Sequence, residues 1–266
     1  MCRLLGYLGP PILLDSILCK PEHSLIEQSY QPREMTSGVV NADGFGVGWY
    51  HAQQDTDPFT YKNMLPIWND TNLSSLGRYI ESGCVLGCVR SATSGQALDF
   101  SNCQPFGSDR LLFVHNGSIR NFRQTLYRPL RSKLNDAAYQ LIKGTTDSEH
   151  IFALLVNELA ATSNLSLTEA FRQTLVVLSE LADASTYLGK IEFSVNAIVT
   201  DGHQLVASRF ASGTQLPSLY WLRDDPSFPE AVIVASEPLF AGNWHPCPPQ
   251  SIISVGEDLD VNICQL

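Results

Sequence analysis

The chain opens MCRLLGYLG (residues 1–9), a short apolar strand with a cysteine directly behind the initiator methionine. Cys2 has a small side chain, so removal of Met1 by methionine aminopeptidase is expected, which leaves one residue carrying both a thiol and a free α-amine. A thiol of pKa ~8.5 and an α-amine of ~7.7–8.0 both titrate near physiological pH. The amine can therefore take the thiol proton, directly or through one water, as an N-terminal threonine uses its own amine as base. A cysteine opening an apolar strand also packs well as a small hydrophobe. The rest of the chain has to separate the two readings.

At 266 residues and 44% hydrophobic, the chain can bury a large core within one domain, expected to span residues 1–266. The net charge is −10 and the 17 basic residues form no dense run, which argues against nucleic acid or an anionic membrane as partner and for a small ligand. The run LLGYLGPPILL breaks at Gly-Pro-Pro, and nothing approaches the ~18–20 apolar residues of a membrane span. A cytoplasmic location is expected. Cys19, Cys84, Cys88, Cys103, Cys247 and Cys264 show no CxxC pair or zinc spacing and read as packed or incidental thiols. The sequons at Asn72, Asn116 and Asn164 have no meaning in that compartment.

Outward from the first strand, expected at 2–8, the pattern predicts loops through PEHSLIEQSYQPRE and a glycine-punctuated strand, GFGVGWYHA, from Gly44. CVLGCVR (84–90) and RLLFVHNG (110–117) read as buried strands ending in polar residues. Two helices follow, DSEHIFALLVNELAAT from Asp147 and LTEAFRQTLVVLSELADAS from Leu167, each with i, i+3, i+4 apolar spacing. Each opens on a capping box, Thr146-x-x-Glu149 and Ser166-x-x-Glu169. Residues 118–143 are assigned to helix as well. IEFSVNAIVT and HQLVASRF then form a hairpin about Asp201-Gly202, and AVIVAS and SIISVG close the chain as strands. Strands, helices and strands again argue for packed sheets with helices outside them. There is no internal repeat or long linker.

Polar residues gather where periodicity does not require them: NADGFGVGW (41–49), VRSATSG (89–95), VHNGSI (114–119) and TTDSEH (145–150). Arg90 ends a buried strand, and a guanidinium fork grips a carboxylate bidentately. Asn116 and Gly117 can aim a side-chain NH₂ and a backbone N–H at one developing oxyanion, although Asn-Gly is also an ordinary turn. Asp147 begins a helix, where a carboxylate is favoured by the dipole alone. His115 ends an apolar strand and reads as a packed, hydrogen-bonded residue outside the catalytic set.

These stretches, in this order behind an N-terminal cysteine, resemble the class II, N-terminal-nucleophile glutamine amidotransferases. Within that superfamily the resemblance is strongest to the γ-glutamyl hydrolase family of ergothioneine biosynthesis, which carries MCR-x-LG, NADG-x-GVG, VRSAT-x-G, HNG and a late SEP, here Ser236-Glu237-Pro238. Five motifs in register make a specific signal. The resemblance implies an α+β fold, a four-layer αββα sandwich of the N-terminal nucleophile hydrolase type, with two mainly antiparallel sheets face to face. It implies a catalytic set of Cys2, Asn116 and Gly117. By the same resemblance Arg90 is expected to hold the α-carboxylate and Asp147 the α-ammonium of a glutamyl group, with Thr93 and Ser94 also in the substrate-binding set. Asn41, Asp43, Gly44 and Gly46 shape and support the pocket floor. No metal or cofactor is called for. Many ammonia-transferring members carry Arg-Trp-x-Thr-His where this chain has Arg90-Ser91-Ala92-Thr93-Ser94, and append a synthase domain.

The expected function is thus a γ-glutamyl amidohydrolase, a C–N hydrolase of linear amides, acting above all on γ-glutamyl hercynylcysteine sulfoxide. The rivals are a glutaminase subunit feeding ammonia to a separate synthase and a non-catalytic binding protein of the same fold. Expected partners are the small γ-glutamyl substrate and, in a homo-oligomer, further copies of the chain.

Overall fold

The computed structural model describes residues 2–35, 38–51, 56–93, 96, 98–185 and 189–266. In chain order the strands are β1 (Arg3–Leu13), β2 (Phe45–Trp49), β3 (Phe59–Asn63), β4 (Glu81–Val89), β5 (Phe106–Ser108), β6 (Leu111–Ile119), β7 (Phe193–Thr200), β8 (Leu205–Ala211), β9 (Tyr220–Asp225), β10 (Phe228–Ala235), β11 (His245–Pro246), β12 (Ser251–Val255) and β13 (Val261–Gln265). The helices are α1 (Leu14–Leu18), α2 (Leu25–Tyr30), α3 (Leu73–Gly77), α4 (Tyr127–Arg131), α5 (Asp136–Leu141), α6 (Asp147–Ala161) and α7 (Leu167–Ala184).

Alternation of side chains sorts these strands into layers. One sheet runs β11-β9-β10-β1-β4-β2-β3 and the other β13-β12-β8-β7-β6-β5, with antiparallel pairing throughout. Leu4, Leu8, Cys88 and Leu86 from the first sheet meet Leu112, Val114, Ile198 and Ile253 from the second in a buried layer between them. Leu5, Tyr7, Val85 and Val89 face the other way, onto Ile17, Leu18 and Leu25 of α1 and α2. Phe113, Val195 and Ala197 face Ile151, Leu155, Phe171 and Leu175 of α6 and α7. The result is the expected four-layer αββα sandwich.

β1 runs on past residue 8 because the ladder to β4 skips from Leu8 to Ile12. Pro10 and Pro11 lie in that gap, where a missing N–H breaks no pairing. The loop expected at 21–34 contains α2, whose N-cap Ser24 accepts from the Glu27 N–H. Residues 118–143 are mostly turns carrying the short α4 and α5 rather than continuous helix. Asn121 adopts φ +53, which interrupts a helix there, and Asn135 caps a fresh start at α5. The β7–β8 hairpin forms, closed by the Asp201 carboxylate accepting from His203 and Gln204 N–H and by Gly202 at φ +95.

Both long helices begin where expected, with Thr146 and Ser166 accepting from Glu149 and Glu169 N–H. The reciprocal halves of the capping boxes do not form. Glu149 instead accepts from Lys143 and Gly144 N–H, at 2.8 and 2.7 Å, and Glu169 binds Arg172 at 2.6 Å.

Candidate active site

Cys2 stands just outside the ladder, whose first β1–β4 pair is Arg3 with Val89. By alternation it shares the face of Leu4, turned to the layer between the sheets, and it packs against that layer. Leu4 sits opposite Cys88 on β4, which brings Cys88 beside Cys2 on one face. A hydrogen bond from the Cys88 thiol lowers the Cys2 thiol to about 6 against the opposing effect of desolvation, helped by the Ser91 N–H and the Arg90 charge. Cys88 is pushed well above its ordinary value by the same contact. These contacts favour the thiolate, the nucleophilic form, at Cys2 over Cys88.

Arg90 is buried immediately beyond β4. Its guanidinium donates to the Asp43 carbonyl and to Gln96 Oε1, both at 3.2 Å, and both contacts are to uncharged oxygens. Asp43 also fixes the following turn, its carboxylate accepting from Ala92 N–H at 2.7 Å. Two glycines make this close packing possible. Gly44 has φ +108, and a Cβ there would lie 2.8 Å from Cys103 Sγ. A Cβ at Gly46 would lie 2.0 Å from the Gln104 carbonyl oxygen. Asn41 is fully buried and its Oδ1 has no partner.

The other wall is β6. Residues 112 and 114 face the inter-sheet layer, so Asn116 faces it too. It is 0% exposed, yet neither its Nδ2 nor its Oδ1 has a partner. The His115 N–H and carbonyl are taken by the Gln104 side-chain amide and the Ile119 N–H by Asp147 at 2.7 Å. Backbone polarity alternates along a strand, so the Gly117 N–H points to that same edge, between these two anchors. Glycine is required here, since a Cβ would stand 2.0 Å from the Ser194 carbonyl oxygen.

Asp147 serves two backbone donors, Ile119 N–H and its neighbour Ser148 N–H at 2.9 Å, and so ties the helix start to the strand end beside Gly117. His115 is held between Ser148 Oγ and the Ser194 carbonyl, and burial pushes its pKa down. It is packed and hydrogen-bonded, as its sequence context predicts. Thr93 is exposed at the rim, and Ser94 lies outside the described residues.

Two parts of the site were not anticipated. Asn196 is the cross-strand partner of Asn116. Its Nδ2 is fixed by the Pro217 and Ser218 carbonyls at 2.8 and 3.2 Å, while its Oδ1 has no partner. The second is a buried ionic cluster behind β1. Arg3 Nε donates to the Cys2 carbonyl at 2.7 Å and Nη1 to Glu237 at 2.8 Å. Glu237 also meets His23 Nε2 at 2.7 Å and the Arg33 and Glu34 N–H groups. Burial would raise Glu237, but these donors and the Arg3 charge bring it down to about 2. Ser236 exchanges two further bonds with Leu4. The sequence signal was present in MCR and SEP, but nothing in either motif says that they meet.

Among the described residues no group of acidic, histidine or cysteine side chains could hold a metal, and no helix is long and apolar enough to cross a membrane. A groove of about 850 Å³, lined by Pro10, Tyr50, Arg110 and His203 among others, lies at the far end of β1 from Cys2.

Residues 20–237 match the family described as "Glutamine amidotransferases class-II". The chain is 32% identical to the "Probable glutamine amidotransferase DUG3" of Saccharomyces cerevisiae, over 96% of this chain and 82% of that protein. It is 29% identical to the "Gamma-glutamyl-hercynylcysteine sulfoxide hydrolase" of Mycolicibacterium smegmatis, over 96% of both. A glutamine aminotransferase class-II domain protein from Silicibacter pomeroyi has the same fold, with a TM-score of 0.71 at 24% identity over 100% of this chain and 99% of that one.

Proposed function

The chain belongs to the class-II glutamine amidotransferases, and from that membership we propose that it is a γ-glutamyl amidohydrolase with Cys2 as nucleophile. The observation that carries the reading is Asn116, a fully buried amide whose donor and acceptor are both unused, facing the inter-sheet layer that Cys2 faces from the opposite sheet. Left unpaired, such a group is a cost; given an oxyanion, its NH₂ becomes a donor in a low-dielectric site.

With Met1 removed, the Cys2 amine takes the thiol proton and Sγ adds to the γ-carbonyl carbon. The tetrahedral oxyanion receives hydrogen bonds from Asn116 Nδ2 and the Gly117 N–H. The ammonium returns its proton to the leaving amine as the C–N bond breaks. Water then adds to the thioester, with the same amine as base, and glutamate leaves. The Arg90 fork takes the α-carboxylate, and Asp147, at the β6 edge, takes the α-ammonium. The seven cysteines are all free thiols, which suits a reducing, cytoplasmic compartment.

For the leaving group we favour the hercynylcysteine sulfoxide of the γ-glutamyl conjugate named in the M. smegmatis hydrolase. A second reading, glutamine with ammonia passed to a separate synthase, is supported by the 32% identity to the S. cerevisiae amidotransferase over 96% of this chain. Measuring kcat/KM on glutamine, γ-glutamylcysteine, glutathione and the sulfoxide conjugate separates them. The conjugate should lead. Glutamine leading, with hydrolysis stimulated by a partner synthase, would replace the first reading with the second.

A further inference from the structure

We infer that Arg3 and Glu237 form a clamp that positions Cys2 for attack, an inference that rests on the nucleophile role proposed above. The residue that must be held most exactly is the one with least to hold it. In the mature chain Cys2 is the terminal residue, and it lies outside both ladders of β1, which begin at Arg3 with Val89 and at Leu5 with Ala235. Chain ends fray unless tied down.

Arg3 supplies the tie. Its side chain is fully buried on the face opposite Cys2 and spans two acceptors, the Cys2 carbonyl at 2.7 Å and Glu237 at 2.8 Å. Glu237 is itself immobilised by His23 and by the Arg33 and Glu34 N–H groups. Through Arg3, that fixed carboxylate on the far side of the sequence sets the carbonyl of the first residue. The cluster is not optimised for stability: Arg3 Nη2 has no partner, and buried ion pairs are often replaceable by apolar residues without loss. Cohesion through the Glu237 ion pair leaves the second Arg3 contact, to the Cys2 carbonyl, without a purpose; holding a reactive terminus supplies one.

The geometry calls for a fork. A lysine at position 3 can reach Glu237 or the Cys2 carbonyl but has one head, not two edges. Without the second contact the Cys2 thiol is free to move away from the Ser91 N–H and Cys88, which favour its thiolate form. The groups facing Cys2 in front are Cys88, Cys103 and Arg90; behind, His23 and Tyr220 face Glu237, and the Glu34 carboxylate is held by the Tyr220 hydroxyl; all stay in place in the test.

The test uses the full chain beginning at Cys2, in wild type, Arg3→Lys and the charge-neutral double variant Arg3→Gln/Glu237→Gln. Thermal unfolding, kcat and KM, and the pH midpoint of iodoacetamide alkylation at Cys2, read by mass of the N-terminal peptide, are measured on each. Arg3→Lys should fold with its ion pair, lose about tenfold or more in kcat with KM moved by roughly twofold at most, and raise the alkylation midpoint by about one pH unit or more. The double variant should show the same two changes. Alkylation needs no substrate, so it reports on the clamp even if the γ-glutamyl reading fails, and that reading fails separately if Cys2→Ala remains active. A folded Arg3→Lys with unchanged kcat and midpoint, or an Arg3→Lys that does not fold, would assign Arg3 to stability and overturn the clamp.

Discussion

A primary amide buried with both ends unpaired costs the fold about 1–3 kcal/mol, and Asn116 is such a group. Its worth must therefore lie in another state of the protein. Asn116→Leu, which removes both polar atoms at similar volume, should leave Tm equal to or above wild type while kcat falls about 10²–10³-fold, as for an oxyanion donor. Unchanged kcat would remove Asn116 from the chemistry. Arg90 makes the complementary case. Its contacts are to uncharged oxygens, so Arg90→Lys, which keeps charge and loses the fork, should raise KM sharply with little change in Tm. Asp147→Asn should raise KM and also lower stability by about 1 kcal/mol, because its carboxylate accepts from Ile119 and Ser148 N–H. If kinetics left kcat/KM unchanged in both, the substrate would not carry a glutamyl head.

Between elements, the site is held by close approaches and by one ionic cluster. At Gly117 a Cβ would lie 2.0 Å from the Ser194 carbonyl of β7, so Gly117→Ala must push β6 from its neighbour. The expected outcome is a lowered Tm together with loss of turnover; a variant active at wild-type Tm would mean that the strands relax freely. The Glu237 cluster ties the start of β1 to the end of β10, and its pH behaviour has a definite sign. The folded pKa of about 2 lies below the ordinary value of 4.5. Its stabilisation is therefore complete above pH 4.5 and is lost as pH falls toward 2, an effect of about 3 kcal/mol. Urea titrations at pH 7, 4 and 2.5 should show wild type's lead over Glu237→Gln shrinking as pH falls. A constant lead would place the stabilisation elsewhere.

Across the whole molecule, what could be read in advance was what repeats or clusters locally. Periodicity located α6 and α7 to within a residue at their starts, and Asp-Gly placed the β7–β8 turn. The short helices α1 to α3 escaped, and α4 and α5 read as one longer helix, because five or six residues carry too little period to register and their formation depends on the sheet they cover. At the site, Cys2, Arg90, Asn116 and Gly117 stood out because each breaks its strand's pattern with a chemically distinctive type. Asn196 and the Arg3–Glu237 pair could not be found that way, since their meaning arises from register and from contacts over more than two hundred residues. The central claim remains the chemistry of one residue, and its most direct measurement is mass spectrometry of purified protein, before and during turnover of the sulfoxide conjugate. The expected result is a chain beginning at Cys2 that, on acid quench, carries one glutamyl group as a thioester on the Cys2 peptide, with Cys2→Ala showing neither adduct nor turnover. An active chain that retains Met1, or a glutamyl adduct on any other residue, would contradict it.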